Sequence, residues 1–450
     1  MKIFSLIALL FLFNCSQLPS KRTDKLSILQ GITNSKEVEF SIVALKGRNL
    51  RFELRDEAGE VILPDEIRVI SRDFSDYLIH KMIFSRDPGK EYNLFAFEGE
   101  NVVDQRLVGK GQREDAKLKI AVASCLNDFY DKHFKIWDTL VSKNPEYLIL
   151  IGDNVYATNK AIDKKQDTDP EVLWNRYLDL RLSLPLYFQQ KLIPTHALWD
   201  DHDYGMNDGH REFTYKQESK EVFDAFWAQD LSGENWSKGY GVGGLLTLGD
   251  FNLYFLDART FRSEESHGKH LGIDQSAWLY SKLKEEETPS FIIKGDQFFG
   301  GYHPFDSFEG RHPEDFQEFV TELKKLKTPF IFLSGDRHMS EIMQFPRSLF
   351  GRPGFEITSS PMHGKVISDT PSNPWRVVSA LEKVNFTLID SLAKDNHWFM
   401  DVTNIGENGD VHYKRELAVY IKDLQDNLKE KRKRRYIKRR YRKIRSKRRR

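Results

Sequence analysis

The chain has 450 residues, enough for one large core and a second, smaller domain. Aromatic residues make up 13% of it and apolar runs recur along its length, which excludes a disordered or collagen-like protein. A net charge of +1 hides an asymmetry: from Lys429 onward 16 Lys and Arg face one Glu, and the body before them carries 52 basic against 66 acidic residues.

The first segment, residues 1–20, reads "MKIFSLIALLFLFNCSQLPS". Its apolar stretch, Ile3 to Phe13, is short for a membrane span but fits a secretory signal. Cys15 directly after it resembles the bacterial lipoprotein signal, which implies a lipid anchor at Cys15 and an exported protein, anchored to a membrane or free in a periplasmic or extracellular space. Asn14 stands where such signals carry Gly or Ala; ordinary secretion and a buried core helix are the alternatives. Cys125 is the only other cysteine, so with Cys15 lipidated it has no partner and a disulfide framework is ruled out.

Residues 21–112 alternate apolar and polar, as in "KEVEFSIVAL" and "NLRFELRD", with Gly-containing turns between the runs. This pattern predicts a small all-β domain of immunoglobulin or fibronectin type. The polar stretch Gly109 to Lys117 reads as a linker.

From 118 to 390 the pattern is α/β. The short, nearly continuous apolar runs "LKIAVAS", "EYLILIG", "IPTHALW", "FNLYFLD", "SFIIKG" and "FIFLSG" read as strands buried on both faces. "DQSAWLYSKLKEEE" and "PEDFQEFVTELKKLK" have helical periodicity, the latter with Phe316, Phe319, Val320, Leu323 and Leu326 on one stripe. Residues 391–428 read as a hairpin turning at Asn408-Gly409, followed by a helix. The basic tail, 429–450, has three readings: a solvated tail, an electrostatic contact with anionic lipid or cell-surface phosphate, and nucleic-acid binding, the last of little relevance to an exported chain.

The chemistry lies just past the strands. Cys125 follows the first, Asp153 and Tyr156 the second, "DDHD" (Asp200 to Asp203) the third, and Asp336 and His338 the sixth. Ligands of open α/β sheets bind beyond the carboxyl ends of strands, so these groups converge on one crevice. Two carboxylates about 4 Å apart repel by about 4 kcal/mol at an effective dielectric of 20, and a metal cluster resolves that repulsion. Thiolate, phenolate and imidazole suit iron or zinc, whereas carboxylates suit calcium, manganese or magnesium; two or more metals sharing a carboxylate are therefore expected. Such pairs serve in-line displacement at phosphorus. Taken singly, Asp153, Asp201 and Asp336 also read as helix caps, Cys125 and Tyr156 as core, and His202 as a turn histidine.

"ASC", "GDNVY", "WDDHD" and "GDRH", in this order, resemble the PhoD-like alkaline phosphatase/phosphodiesterase family of the metallophosphoesterases. "GDxxY" is also similar to the element of purple acid phosphatases, and "LDART" with "LGIDQSAWLYSKL" extends the likeness. The resemblance implies a metallophosphoesterase β-sandwich flanked by helices behind an all-β accessory domain. It further implies an exported hydrolase of phosphomonoesters or phosphodiesters that uses iron (Fe3+) and calcium, with attack by a metal-bound hydroxide. By position, Cys125, Asp153, Tyr156 and His338 would hold the first metal, and Asp153 would bridge to a second held by Asp201 and Asp336. Gln297 stands where the superfamily has a metal-binding His. His202 would protonate the leaving group with Asp203 supporting its ring, and Arg259 and Arg337 are candidates to grip the phosphoryl oxygens. Asn207 and Asp208 are candidates for a further hard-cation shell, and His303, in "GGYHPFDSFEG", for a substrate-side lid. The competing reading is a non-catalytic surface lipoprotein that binds anionic ligands through its tail.

Overall fold

The structure is a computed structural model that describes residues 25–420, apart from 33–35, 88, 111–115, 130–133, 158–167, 231–234, 286–287 and 369. The expected signal, Cys15, residues 421–428 and the basic tail lie outside the described residues. The fold is mixed α/β with sheets predominating.

Two four-stranded antiparallel sheets form the front domain, as its alternating sequence predicts. One runs Ser27–Gln30, Glu37–Leu45, Tyr77–Ser85, Glu66–Ser71 across its width; the other runs Val61–Ile62, Leu50–Asp56, Tyr92–Glu98, Asn101–Leu107. Phe40, Phe84, Phe52 and Leu94 fill the space between them. The expected linker is not loose where it begins: Gly109 exchanges two hydrogen bonds with the carboxamide of Gln30, at 2.7 and 3.1 Å.

All six apolar runs form strands, and they divide between two larger sheets. Thr195–Leu198, Tyr147–Ile151 and Lys117–Ala123 lie parallel in one sheet. Phe251–Phe255, Ser290–Ile293 and Phe330–Ser334, joined by Gly354–Thr358, lie parallel in the other. Alternation along each strand explains why both faces are apolar. Phe291, Ile293, Ile331 and Leu333 point into a core shared by the two sheets, where Trp398 packs on Phe291 at a ring separation of 4.9 Å. Ile292 and Phe332 point outward, beneath helices Ile273–Glu285 and Pro313–Lys324. Of the expected stripe, Phe316, Phe319, Val320 and Leu323 form the buried face of the second helix, and Leu326 is buried just past its end.

No break occurs at residue 390. The strand Asn385–Lys394 crosses that position and pairs antiparallel with Lys117–Ala123; His397–Gly406 and Val411–Tyr420 then complete a six-stranded sheet. The Asn408-Gly409 turn is as expected, with Gly409 at φ +83°, but its hairpin is an integral edge of the large sheet.

Arg181 fastens the front domain to the body. Its fully buried guanidinium donates to the hydroxyl and carbonyl oxygens of Ser27 and Ser41 and to the Phe226 carbonyl, at 2.7 to 3.1 Å. Burial draws its pKa down to about 10. Arg181→Ala leaves five acceptors without their donor and is expected to cost about 3 kcal/mol, read as a lower urea midpoint; an unchanged midpoint would show that the docking does not depend on it.

Glu356, in the second large sheet, accepts from Phe298 N, Phe299 N and Ser334 Oγ, and burial raises its pKa from 4.5 to about 7. A raised carboxyl favours the protonated folded state. Its stabilising contribution is therefore full below pH 4.5 and lost as pH rises through about 7. The stability difference between the wild type and Glu356→Gln should shrink by about 3 kcal/mol over that window. A pH-independent difference would contradict the buried proton.

Candidate metal centre

The parallel strands of both sheets end at one place, and two glycines let them meet. A Cβ at Gly335 would come within 2.5 Å of Ser124 Oγ, and one at Gly152, where φ is +97°, within 2.5 Å of the Asp200 Cβ. The Gly of each "GD" pair is thus a requirement of close packing.

Beyond those glycines the backbone turns into the left-handed region at non-glycine residues: Cys125 (φ +59°), Asp153 (+53°), Asp336 (+60°) and His338 (+51°). Each such residue costs about 1 kcal/mol or more. Four of the expected ligands share this geometry, which aims each side chain off its strand end into the common space.

Three overlapping groups of donor atoms result, those in each group all within 4.8 Å of one another: Cys125, Asp153 and His338; Asp153, Asp201 and His202; and Asp153, Asp200, Asp201 and Asp336. Asp153 belongs to all three. Tyr156 joins them, its hydroxyl donating to Asp153 Oδ2 at 2.9 Å and standing 3.3 Å from His338 Nε2. Arg176 holds Tyr156 from behind by donating to its carbonyl at 2.9 Å. The Nδ1 of His338 faces the Lys365 carbonyl at 2.5 Å, which fixes the tautomer and leaves Nε2 to act as a ligand.

Electrostatics show the charge that a proton or a cation would relieve in this cluster. Burial pushes Asp153 and Cys125 well above their usual ranges and Asp336 up to about 8, and neighbouring negative charge adds to each. Burial likewise raises the Tyr156 phenol and lowers His338 to about 4, keeping the imidazole neutral. Asp201 is the exception: burial raises it, but the charges of His202 and Arg259 outweigh that and hold it ionised. Asp200 Oδ2 and Asp201 Oδ1 are buried without a hydrogen-bond partner among the described residues. Orphaned carboxylate oxygens beside a thiol, a phenol and an imidazole fit a soft ion next to a harder one.

A cavity of about 490 Å³ opens over these groups, lined among others by Tyr156, Asp201, His202, Asp336, Arg337 and His338. Asn207 and Asp208 line it as well, and the Asp208 amide donates to Asp201 Oδ2 at 2.8 Å. Arg337 is 2% exposed, lies over the Phe305 ring at 4.4 Å, and keeps Nε and Nη2 without partners.

Four expected roles do not match the geometry. Asp203 does not touch His202: its carboxylate accepts from Asp200 N at 2.5 Å and from Asn154 N and Nδ2, because successive residues of the short helix Asp201–Tyr204 point in different directions. Arg259 is fully buried behind the cluster, paired with Asp200 at 2.5 Å and Asp306 at 2.9 Å, so it balances charge there and lies off the cavity wall. Gln297 turns away from the metal groups toward Glu341 and Thr358, at 2.9 and 2.8 Å. Its Oε1 meets His303 Nε2 at 3.0 Å, so both residues belong to a buried network beneath the lid loop. Asp200, quoted in the motif but given no role, and Asp306, in "DSFEG", are the residues the sequence reading missed.

No protein-family model matches the chain, and no curated protein matches it. Asp153 is the shared donor of every group, so Asp153→Asn should lose bound metal almost completely by elemental analysis of the purified protein. Full metal content in that variant would refute the cluster.

Proposed function

We propose that the protein is a metal-dependent phosphoesterase of the metallophosphoesterase type, exported, acting on phosphomonoesters or phosphodiesters. The observation that carries this reading is the meeting, in one cavity, of a divided soft-and-hard donor set with an unpartnered buried arginine. The two facing sheets, each with its strand ends turned toward that cavity, accord with it.

Cys125, Asp153, Tyr156 and His338 would hold an iron-like ion. Asp153, Asp201 and Asp336, with Asp200 beside them, would hold a harder cation such as calcium, manganese or magnesium. When bound, the metal pair supplies an activated nucleophile near neutral pH and offsets charge that develops on phosphorus-bound oxygens. The chain's own residues do the rest. Arg337, flattened against Phe305, presents Nε and Nη2 to two oxygens of the phosphoryl group in the planar geometry a guanidinium favours. The His202 ring lies against the Tyr156 ring at 4.0 Å and faces the cavity, where it holds a proton for the departing alkoxide. Its pKa is lowered by burial and by the charge of Arg259, with the charge of Asp201 opposing part of that fall, so the proton it offers is that of the neutral ring's N–H. Asp203 contributes at one remove, by locking the turn that carries Asp201 and His202.

The competing reading, a non-catalytic surface lipoprotein, rests on residues 429–450, outside the described residues, and no observation favours it. His202→Ala should retain metal while kcat on an aryl phosphomonoester falls by about 10²- to 10³-fold. Loss of metal in this variant would make His202 a ligand, and absence of turnover in the metal-loaded wild type on both monoesters and diesters would overturn the proposal.

A further inference from the structure

Two more cations line the same cavity: Arg311, at the end of the short helix Phe308–Arg311, and Lys365, on the loop after Gly354–Thr358. Four acids line the cavity too: Asp201 and Asp336 belong to the donor groups, Asp306 is ion-paired, and Asp208 faces the cavity beside Asp201. Asp306 is held by Arg259 and by Arg262, the latter at 2.6 Å, and Asp201 Oδ2 takes the Asp208 amide. Arg311 Nε is buried without a hydrogen-bond partner, as are Nε and Nη2 of Arg337. Among the described residues neither Arg311, Arg337 nor Lys365 is ion-paired, so three positive charges face one space. A single phosphoryl group at the acids occupies Arg337. Within about 490 Å³ there remains room for a leaving group of moderate size. Phe305, 45% exposed at the cavity wall, offers that group an apolar face.

We infer that Arg311 and Lys365 form a second anionic subsite, which selects phosphate esters whose leaving group carries a second anionic group. The substrate half of this inference rests on the phosphoesterase reading, whereas the subsite is a binding property of its own. Unpaired cations in a partly desolvated wall favour a second negative charge by charge-assisted hydrogen bonds. Lys365 is exposed, so its share of the discrimination weakens as salt rises.

The test compares two inert probes, phenyl phosphonate and carboxyphenyl phosphonate, by calorimetry on the metal-loaded full chain, together with turnover of the corresponding phosphates. The carboxyl-bearing probe should bind about tenfold more tightly, and in the Arg311→Gln, Lys365→Gln double variant the ratio should fall to near one. Phenyl phosphonate binding is the internal control for folding. If the double variant binds neither probe, Lys365→Gln alone, at an exposed position, should still lower the ratio about threefold. A wild-type ratio near one, or a ratio unchanged in either variant that still binds phenyl phosphonate, overturns the inference. Preserved discrimination without turnover of either phosphate would instead refute the phosphoesterase reading and leave the subsite standing.

Discussion

Everything in this molecule is arranged around carboxylates that repel one another inside a dry interior. Asp153, Asp200, Asp201 and Asp336 place donor atoms within 4.8 Å. At such separations each unscreened pair is unfavourable by several kcal/mol. From behind, the protein supplies the permanent cation Arg259, whose charge is itself balanced between Asp200 and Asp306. That arrangement neutralises the rear wall only. On the cavity side the acids must take up protons or a metal, and the raised pKa values of Asp153 and Asp336 express the first of those states.

The backbone meets the same demand in another way. Side chains at a strand's end would ordinarily continue the alternation of the strand, one to each face of the sheet. Left-handed residues at Cys125, Asp153, Asp336 and His338 break the alternation, so that four chains of contact from two sheets reach one point. Strain of this kind persists only where the surroundings over-determine it. Here they do: the amides of Cys125 and Leu126 are tied to Gly152 and Asp153 carbonyls across the sheet, at 3.3 and 2.8 Å, and the His338 amide to Ser360 Oγ at 2.9 Å.

What was legible in the sequence is what local pattern controls. Runs of four to seven apolar residues give strands because both faces of the two large sheets are covered where these central strands lie, and the group following each run is then placed by topology. The acids after the strands look alike in sequence and yet diverge. Asp153 and Asp336 enter the cluster, but Asp257, after "FNLYFL", accepts the amides of Arg259 and Thr260 at 3.0 and 2.9 Å and serves as a turn cap. Asp296, after "SFIIKG", pairs with Lys294 at 2.6 Å. A cap and a ligand differ only in which way the carboxylate faces, and that is fixed by residues distant in the chain. The strand Asn385–Lys394 escaped notice for a related reason, since its place beside Lys117–Ala123 is set by a contact more than 260 residues long in sequence.

The two arginines make the point in its sharpest form. Arg259 and Arg337 are both buried, both adjacent to the acidic cluster, and were indistinguishable as candidates to grip phosphate. Arg259 meets two carboxylates, and its charge is spent on holding Asp200 in place. Arg337 meets a phenyl ring, which orients a guanidinium without neutralising it. A buried cation with its hydrogen-bonding edge unmatched is costly unless something anionic arrives to meet it. The difference between a structural arginine and one poised for a ligand therefore lies in Asp306 and Phe305, neighbours in the chain whose side chains turn to opposite arginines.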